Sequence, residues 1–245
     1  MKALILADVH ANYPALSAVL DSAEAMDAVY CLGDIVLFGP EPVACIDLLR
    51  SRSIPVVRGN HDAELARFCR QGADRQPCRT DGERWKQWTA DQLRDDQIDY
   101  LASLPEEISL TLDGRRVLLR HDLPVPGPLI MPEATDELIE SRMGPGTFEY
   151  LFVGHVHIPY LRALGRRHLV DVGSVGQPEH RDGRCSYAVW DNGRVVFHKV
   201  EYDVKRAVAD LEKLPLSHPY IALWSAFWRN GFVDREALAA LEAST

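Results

Sequence analysis

The sequence predicts an α/β protein, and three observations lead to this fold class. Short β-rich runs, polar loops and helical stretches follow one another in the first quarter of the chain. After about residue 104 the pattern changes to short alternating strands separated by hairpin turns. With 245 residues, 47% of them hydrophobic and 26% charged, the chain can bury a core of ordinary size. We therefore expect one domain over residues 1–245 with a largely parallel sheet, whose ligand sites lie beyond the carboxyl ends of the strands.

The first part of the chain is expected to contain three buried strands. KALILA (2–7) ends in the polar DVHAN, and PALSAVLDSAEA then has helical spacing, with Pro14 suited to a first turn. AVYCLG (28–33) is the second strand, and a helix follows it from about Val43 to Ser51. IPVVRG (54–59) is the third strand and ends in NHD. Polar residues thus stand at the carboxyl end of each of these strands.

The remainder divides into a helical insertion at about 63–104, a strand-rich region and a helical tail at about 203–245. Hairpin turns are expected at Asp113-Gly114 and Asn192-Gly193, and YLFVGH and HLVDVG are expected strands between them. We expect substrate specificity to come from the insertion and from the aromatic stretch HPYIALWSAFW of the tail, with core packing or the contact of a homo-oligomer as the alternative for that stretch.

Charge and cysteine content argue against several classes of protein. A formal charge of −9 makes a broad nucleic-acid surface unexpected, because such a surface needs clustered Lys and Arg. The sequence contains no apolar run of membrane-spanning length, and MKALILADVH is too short an apolar run for a signal peptide. We therefore expect a cytoplasmic protein without a membrane segment. The five cysteines form no CxxC pair, and Cys31 and Cys45 lie in apolar segments, as buried free thiols would.

Carboxylate, amide and imidazole groups follow the predicted strands, where a charge is costly unless it is paired or bound to metal. Taken alone, the HxH pair in VGHVH also fits one solvated imidazole and one bonded in the core. The shared placement of many such groups favours metal binding instead. Nitrogen and oxygen ligands without thiolates suit Mn²⁺, Fe²⁺, Co²⁺, Ni²⁺ or Zn²⁺. We expect two divalent ions that share a carboxylate, an arrangement that hydrolyses phosphoesters. The set comprises Asp8, His10, Asp34, Asn60, His61, Asp62, His121, His155 and His157.

Five short motifs give the chain a resemblance to a known family. DVHAN, GDIVLFGPEP, RGNHD, the histidine of LLRHD and VGHVH are similar, in order and spacing, to the motifs of the calcineurin-like metallophosphoesterases. Among these proteins the chain most resembles the small prokaryotic phosphodiesterases. The resemblance implies an α/β sandwich of two β-sheets flanked by helices (α-β-β-α), with two divalent ions, Mn²⁺ first among them, at one end.

The resemblance also implies how the ligands divide between the two ions. Asp34 would bridge both ions. The first ion would be held by Asp34 with Asp8, His10 and His157, and the second by Asp34 with Asn60, His121 and His155.

His61 is expected to act on the substrate and not on the metal. The resemblance implies that His61 contacts the phosphate and protonates the leaving group while a metal-bridging hydroxide attacks phosphorus. Asp62 would orient the His61 ring and favour its charged form. The alternative is that His61 is a structural residue bonded to Asp62.

Four further side chains are candidates for the surroundings of the centre. Asn12 and Ser174 match family positions close to the site, with ordinary turn roles as the alternative. Arg181 and Arg184 would grip a substrate phosphate, although loop arginines are more often solvated. Asp122 departs from the family, in which a small residue follows this histidine, and it adds charge beside the second ion.

The expected function is a metal-dependent phosphodiesterase acting on a small phosphoester substrate. A phosphomonoesterase or nucleotide pyrophosphatase on the same centre is the alternative. A non-catalytic scaffold, for which a retromer subunit of this fold is a precedent, would be expected to lose ligands that this chain retains. GDIVLFG lacks the Asp and Arg of the phosphoprotein phosphatase motif, which disfavours a Ser/Thr protein phosphatase.

Overall fold

A computed structural model describes residues 1–23, 25–72 and 77–243 of the chain. Two β-sheets pack face to face, and helices cover their outer faces. The strands run over Lys2–Leu6 (β1), Ala28–Cys31 (β2), Glu107–Leu112 (β3), Arg115–Arg120 (β4), Tyr150–Val153 (β5), Tyr160–Leu164 (β6), Arg167–Asp171 (β7), Cys185–Asp191 (β8) and Arg194–Val200 (β9). The helices run over Tyr13–Asp21 (α1), Pro42–Ser51 (α2), Asn60–Arg70 (α3), Asp81–Gln92 (α4), Asp95–Ser103 (α5), Asp136–Met143 (α6), Val204–Leu211 (α7), His218–Asn230 (α8) and Arg235–Ala243 (α9).

Both sheets are mixed, so the expectation of a largely parallel sheet is wrong. The first sheet has the order β2-β1-β8-β9, in which only β1 and β2 are parallel. The second has the order β3-β4-β5-β7-β6, in which β5 is parallel to β4 and β7. The other pairings are antiparallel: three hairpins, at both edges of the second sheet and between β8 and β9, and the long-range pairing of β1 with β8. The sandwich of two sheets flanked by helices is as expected.

The third strand predicted in the first part of the chain is reduced to one β-bridge. Cys31 and Val56 form an isolated parallel bridge, with the Cys31 amide donating to Pro55 and the Val57 amide donating to Cys31. Pro55 has no N–H to extend the ladder, and α3 begins four residues after Val56. The segment therefore touches the edge of the sheet and turns at once into a helix.

Two hairpins form at the predicted turns. Asp113-Gly114 joins β3 to β4 and Asn192-Gly193 joins β8 to β9, and all four residues have positive φ. Such paired left-handed residues match the twist of the flanking strands, which is why Asn-Gly and Asp-Gly mark two-residue hairpins. The strand β6 and the helix α6 had no assignment from the sequence, since they are only five and eight residues long.

The space between the sheets is filled by side chains from the inner faces of both. Phe152 and Trp190 are fully buried there, with Ile5, Leu119 and Val170 around them. These residues alternate along their strands with outward-facing ones, as the period of an extended chain requires. A rigid two-layer core therefore stands directly beneath the loops that follow β1, β2, β4 and β5.

Helices α3, α4 and α5 occupy the predicted insertion, and α7, α8 and α9 occupy the predicted tail. The aromatic stretch of the tail packs inside the chain: Trp224, Phe227 and Trp228 are buried together with Trp85 of α4. The homo-oligomer expected through this stretch stays a prediction. Over the described ranges no helix is long and apolar enough to cross a membrane. Cys31 and Cys45 are buried free thiols, as expected.

The inter-sheet core should dominate stability. We expect Phe152→Ala to lower the free energy of unfolding by about 3 to 5 kcal/mol, because a fully buried ring is lost and a cavity is left. The matched control is Phe197→Ala on β9, where the ring is 36% exposed and the loss should stay below about 1 kcal/mol. Urea titration of both variants measures the difference, and equal losses would contradict this placement of the core.

Candidate metal centre

Loops at one end of the sandwich bring the candidate ligands together. Hydrogen bonds link these loops directly: the Asp8 amide donates to Gly33, the Gly154 amide to His121, and the His155 amide to the Asp8 carboxylate at 3.0 Å. The loops follow β1, β2, β4 and β5, so the strand ends converge on one place. The side chains that meet there are Asp8, His10, Asp34, Asn60, His61, His121, His155 and His157.

The first group of side chains consists of Asp8, His10 and His157. His157 Nε2 lies 3.4 Å from Asp8 Oδ1, and His10 Nε2 lies 3.9 Å from the same oxygen. The two imidazole nitrogens are 3.2 Å apart. Their ligand atoms lie within 4.8 Å of one another, close enough to share one metal ion.

The second group consists of Asp34, His121 and His155, whose ligand atoms also lie within 4.8 Å of one another. His121 Nε2 is 3.2 Å from Asp34 Oδ2 and 2.9 Å from Asn60 Oδ1. The other ring nitrogen of His121 is 2.8 Å from the carbonyl oxygen of Leu32, to which it donates. This bond leaves Nε2 as the nitrogen that can bind a metal.

The two groups adjoin one another through their carboxylates. Asp34 Oδ2 lies 4.0 Å from His10 Nε2 in the first group and 3.2 Å from His121 Nε2 in its own. Asp8 Oδ1 lies 4.0 Å from His121 Nε2. The division into two groups is the one that the motifs imply, and Asp34 stands between them. Which atom binds which ion stays a prediction.

The donor atoms fit divalent cations. Asp8, His10 and Asp34 are each at most 1% exposed, and burying such groups without compensation is costly. The Asp8 Oδ1 atom is buried and accepts no hydrogen bond, although it faces two imidazoles. An unsatisfied buried carboxylate oxygen among nitrogen donors is what a cation would complete, and the set of oxygen and nitrogen donors suits Mn²⁺, Fe²⁺, Co²⁺, Ni²⁺ or Zn²⁺.

Without cations, the two groups share protons. Burial disfavours charge on His121, but Asp34 and Asp8 outweigh it and raise the pKa of His121 to about 10. His157 behaves likewise: burial is outweighed by Asp8, and its pKa is raised. Burial lowers the pKa of His10 to about 3 and, with the charge of His121, also lowers the pKa of His155. At a pH below the raised pKa values of His121 and His157 and above the lowered ones of His10 and His155, each group therefore contains one protonated and one neutral imidazole.

Most of the ligand residues have a left-handed backbone, which non-glycine residues rarely adopt. The φ values are 55° for Asp8, 46° for His10, 51° for Asp34, 75° for His155 and 64° for His157. Each such residue costs on the order of 1 to 3 kcal/mol and persists only where its surroundings hold it. The clustering of this strain at the proposed ligands is independent support for a functional site.

Two glycines are required by close approach of the ligands. A Cβ at Gly59 would lie 2.0 Å from Asp34 Oδ1, and one at Gly154 would lie 2.5 Å from Asp8 Oδ2. Real Cβ atoms do not come so close, so any side chain at either position would displace a carboxylate. The glycines of the RGNHD and VGHVH motifs thus make room for Asp34 and Asp8.

Asp62 does not orient His61, contrary to expectation. Its carboxylate accepts hydrogen bonds from the backbone amides of Asp34, Ile35 and Gly59 at 2.8, 2.9 and 3.0 Å. Asp62 is the third residue of α3, where the helix turns its side chain back toward these amides. Burial and the charge of Asp34 raise the pKa of Asp62 to about 6. Its role is to fasten the loop that carries Asp34 to the start of α3.

The partner of His61 is Glu64, which sequence reasoning missed. His61 Nδ1 lies 3.4 Å from Glu64 Oε2, and Lys86 of α4 donates to the other Glu64 oxygen at 2.9 Å. The bond from His61, together with Lys86, lowers the pKa of Glu64 to about 2. Against burial, Glu64 and Asp34 raise the pKa of His61. The available signal was the i,i+3 spacing of His61 and Glu64 on a helix.

Asn12 and Ser174 form hydrogen bonds with backbone groups next to the centre. Within the described residues, neither side chain bonds to the side chain of a candidate ligand. Asn12 caps α1 by accepting from the Ala15 amide at 3.2 Å, and its amide group donates to the Gly176 carbonyl at 3.3 Å. The Ser174 hydroxyl donates to the Asp8 carbonyl at 2.9 Å. Ser174 thereby holds the strained backbone of Asp8.

Arg181 and Arg184 are engaged away from the two groups, whereas Asp122 lies beside the second group, where its charge acts on His155. Arg181 lies over the ring of Phe232 at 4.3 Å, and Arg184 pairs with Asp182 at 2.8 Å. The structure therefore gives neither arginine a contact with the ligand groups. Asp122 pairs with Arg142 at 3.5 Å, which compensates the charge that departs from the family pattern.

Comparisons with known proteins agree with this geometry. The sequence profile of the calcineurin-like phosphoesterase superfamily domain matches residues 1–193. The chain belongs to this superfamily. A metallophosphoesterase from Sphaerobacter thermophilus is 29% identical, with a TM-score of 0.76 over 93% of this chain and 100% of that one. A hypothetical protein from Pyrococcus horikoshii OT3 is 22% identical, with a TM-score of 0.82 over 95% and 99% of the two chains. An uncharacterised protein of Methanocaldococcus jannaschii is 28% identical over 85% of this chain and 91% of its own length. The metallophosphoesterase fold and the family are thus established.

Metal binding should release protons. Because His121 has a pKa raised to about 10 and the pKa of His157 is also raised, both are protonated near pH 6.5 in the metal-free protein. Two ions should displace about two protons, and affinity should rise with pH until about pH 10 is passed. Calorimetry in buffers of different ionisation enthalpy counts the protons. The control is His198→Gln on the exposed strand β9, which should leave the count unchanged. Heats that do not depend on the buffer would contradict this assignment.

Proposed function

We propose that this protein is a phosphodiesterase that depends on two divalent metal ions and acts on a small phosphoester. The observation that carries the proposal is the pair of adjoining ligand groups with His61 at their edge. His61 Nε2 points toward the centre, 4.0 Å from Asp34 Oδ2, while Nδ1 points toward Glu64. The arrangement combines two cation sites with one imidazole that is free to meet a substrate.

The ligand groups would hold the ions, with Mn²⁺ as our first choice of metal. Bound there, two divalent ions lower the pKa of a water and stabilise negative charge on phosphoryl oxygens. The protein's own part is to fix these positions: Asp62 fastens the Asp34 loop, and Ser174 fastens Asp8. Preorganised charge of this kind needs little rearrangement during the reaction.

His61 would act as the general acid. A water that has lost one proton to solvent forms a bond to phosphorus through its oxygen, the bond from phosphorus to the leaving oxygen breaks, and the His61 Nε2 proton passes to that oxygen; a proton from solvent then restores His61. Glu64 accepts from Nδ1 and so fixes the ring with Nε2 toward the substrate. The carboxylates of Glu64 and Asp34 raise the pKa of His61, which favours the protonated ring that a general acid needs.

Charge around the centre favours diesters over monoesters. Lys86 is paired with Glu64 at 2.9 Å, Arg142 with Asp122 at 3.5 Å, and Arg235 with Glu179 at 2.8 Å. These three cations thus bring no excess positive charge for the second negative charge of a monoester. A protein described as a novel archaeal phosphodiesterase has the same fold, at 14% identity and a TM-score of 0.50.

Metal removal tests the proposal. After chelation, hydrolysis of bis(4-nitrophenyl) phosphate should fall to background, and added Mn²⁺ should restore it. The specificity constant for this diester should exceed that for 4-nitrophenyl phosphate. Alkylation of the cysteines in the folded protein is the control, and it should leave the metal content unchanged. A larger specificity constant for the monoester would favour a phosphomonoesterase, and no metal-dependent hydrolysis of any phosphoester would reject the proposal.

The leaving group should reveal the part played by His61. We expect His61→Asn to retain both metals and to lose hydrolysis of an alkyl diester by about 10² to 10⁴, with a clearly smaller loss for a nitrophenyl ester. An alkoxide needs a proton to depart and a nitrophenolate does not. Glu64→Gln should show the same dependence on leaving group with a smaller loss. Equal losses on both esters would assign His61 to charge stabilisation, and loss of metal would make it a ligand.

A further inference from the structure

A cavity of about 380 Å³ opens beside Glu64, the partner of His61, between α4 and the loop that follows β2. Its walls include Phe38, Trp85, Glu64 and Lys86. Glu64 is the carboxylate that bonds the His61 ring, so the cavity begins next to the imidazole that serves the leaving group. A volume of this size is within the range of small-molecule sites.

Phe38 borders both the metal centre and this cavity. Its ring centroid lies 5.1 Å from that of His61, edge to face, and 6.1 Å from that of His10. The ring is stacked on Trp224 at 5.5 Å, yet Phe38 is only partly buried. Phe38 and Leu37 have φ of 60° and 67°, although neither is a glycine or a ligand. The backbone thus accepts strain to hold an aromatic ring at the boundary between the centre and the cavity.

Charge in the cavity restricts what can enter. Over the described residues, its walls carry the carboxylates of Glu64, Glu83 and Glu242 and one ammonium group, that of Lys86. Lys86 is already paired with Glu64 at 2.9 Å. The uncompensated negative charge opposes a second phosphate, while the partly buried ring of Phe38, which packs against the buried Trp85, favours an apolar planar group.

We infer that this cavity is the leaving-group subsite and that it takes an uncharged alcohol bearing a planar ring. The substrate class is then a phosphodiester of such an alcohol, with no further phosphate on that side. The inference rests on the proposed function, because it assumes that His61 protonates the leaving oxygen. On P–O cleavage the ring-bearing alcohol departs into the cavity with the His61 proton, and the attacking water oxygen stays on phosphorus.

Benzyl propyl phosphate tests the subsite by internal competition. Either alcohol can leave from this one molecule, and the two alkoxides differ little in intrinsic reactivity. Wild-type protein should release more benzyl alcohol than propanol. Phe38→Leu should lower that ratio about 2- to 10-fold, because one aromatic contact is lost. Phe38→Tyr keeps the ring and should keep the ratio. The matched control is Phe197→Leu on β9, which removes a ring far from this cavity and should leave the ratio unchanged.

The outcomes separate this inference from the proposed function. Hydrolysis of the diester with equal release of both alcohols, or with a ratio indifferent to Phe38→Leu, overturns the subsite and leaves the phosphodiesterase intact. No hydrolysis at all rejects the phosphodiesterase. Binding of benzyl alcohol then tests separately whether the cavity takes a ring-bearing alcohol. Benzyl alcohol should quench tryptophan fluorescence saturably, since Trp85 and Trp224 lie 5.9 and 5.5 Å from Phe38, whereas propanol should not. Absence of that quenching overturns the subsite, also where Phe38→Leu does not fold.

Discussion

The burial of two carboxylates among four imidazoles is the constraint on which the rest of this structure depends. Asp8 and Asp34 are at most 1% exposed, and their mutual repulsion in a medium of low dielectric constant is large. Positive charge must therefore enter with them, either as protons on His121 and His157 or as metal ions. Divalent cations satisfy more of these lone pairs at once than protons do, so the constraint that destabilises the metal-free fold would favour cation binding at these groups.

Holding these groups together requires the surrounding backbone to be over-determined. Asp62 uses three backbone amides to join the loop after β2 to the start of α3, and Ser174 ties down the carbonyl of Asp8. These bonds hold the backbone of Asp8 and Asp34 in its left-handed conformation. The two-layer core beneath them supplies rigidity, since packed sheets resist the shear that would separate the strand ends.

The ligand-bearing motifs could be read from the sequence because each is local: a short strand, its exit, and a polar side chain at a fixed offset. What could not be read depends on three-dimensional placement. The parallel sheet was wrong because strand order is set by long-range pairing, which put β8 next to β1. Asp62 was assigned to His61 because the two are neighbours in sequence, whereas the first turn of a helix directs consecutive side chains to different sides. Glu64, one turn further on, meets the ring instead.

The first turn of α3 shows how one short segment connects the chemistry to selectivity. Asn60 faces His121, His61 faces the centre and Glu64, and Asp62 faces the backbone of the Asp34 loop. Glu64 in turn accepts a hydrogen bond from Lys86 on α4, so a helix of the insertion is linked through Glu64 to the His61 imidazole. The sheets fix where the ligands stand, while the insertion and the tail enclose the space next to them. Changes in α4 or α8 would therefore alter the surroundings of His61 and Phe38 and leave the candidate ligands in place, so on the proposed function selectivity and metal binding would depend on different parts of the fold.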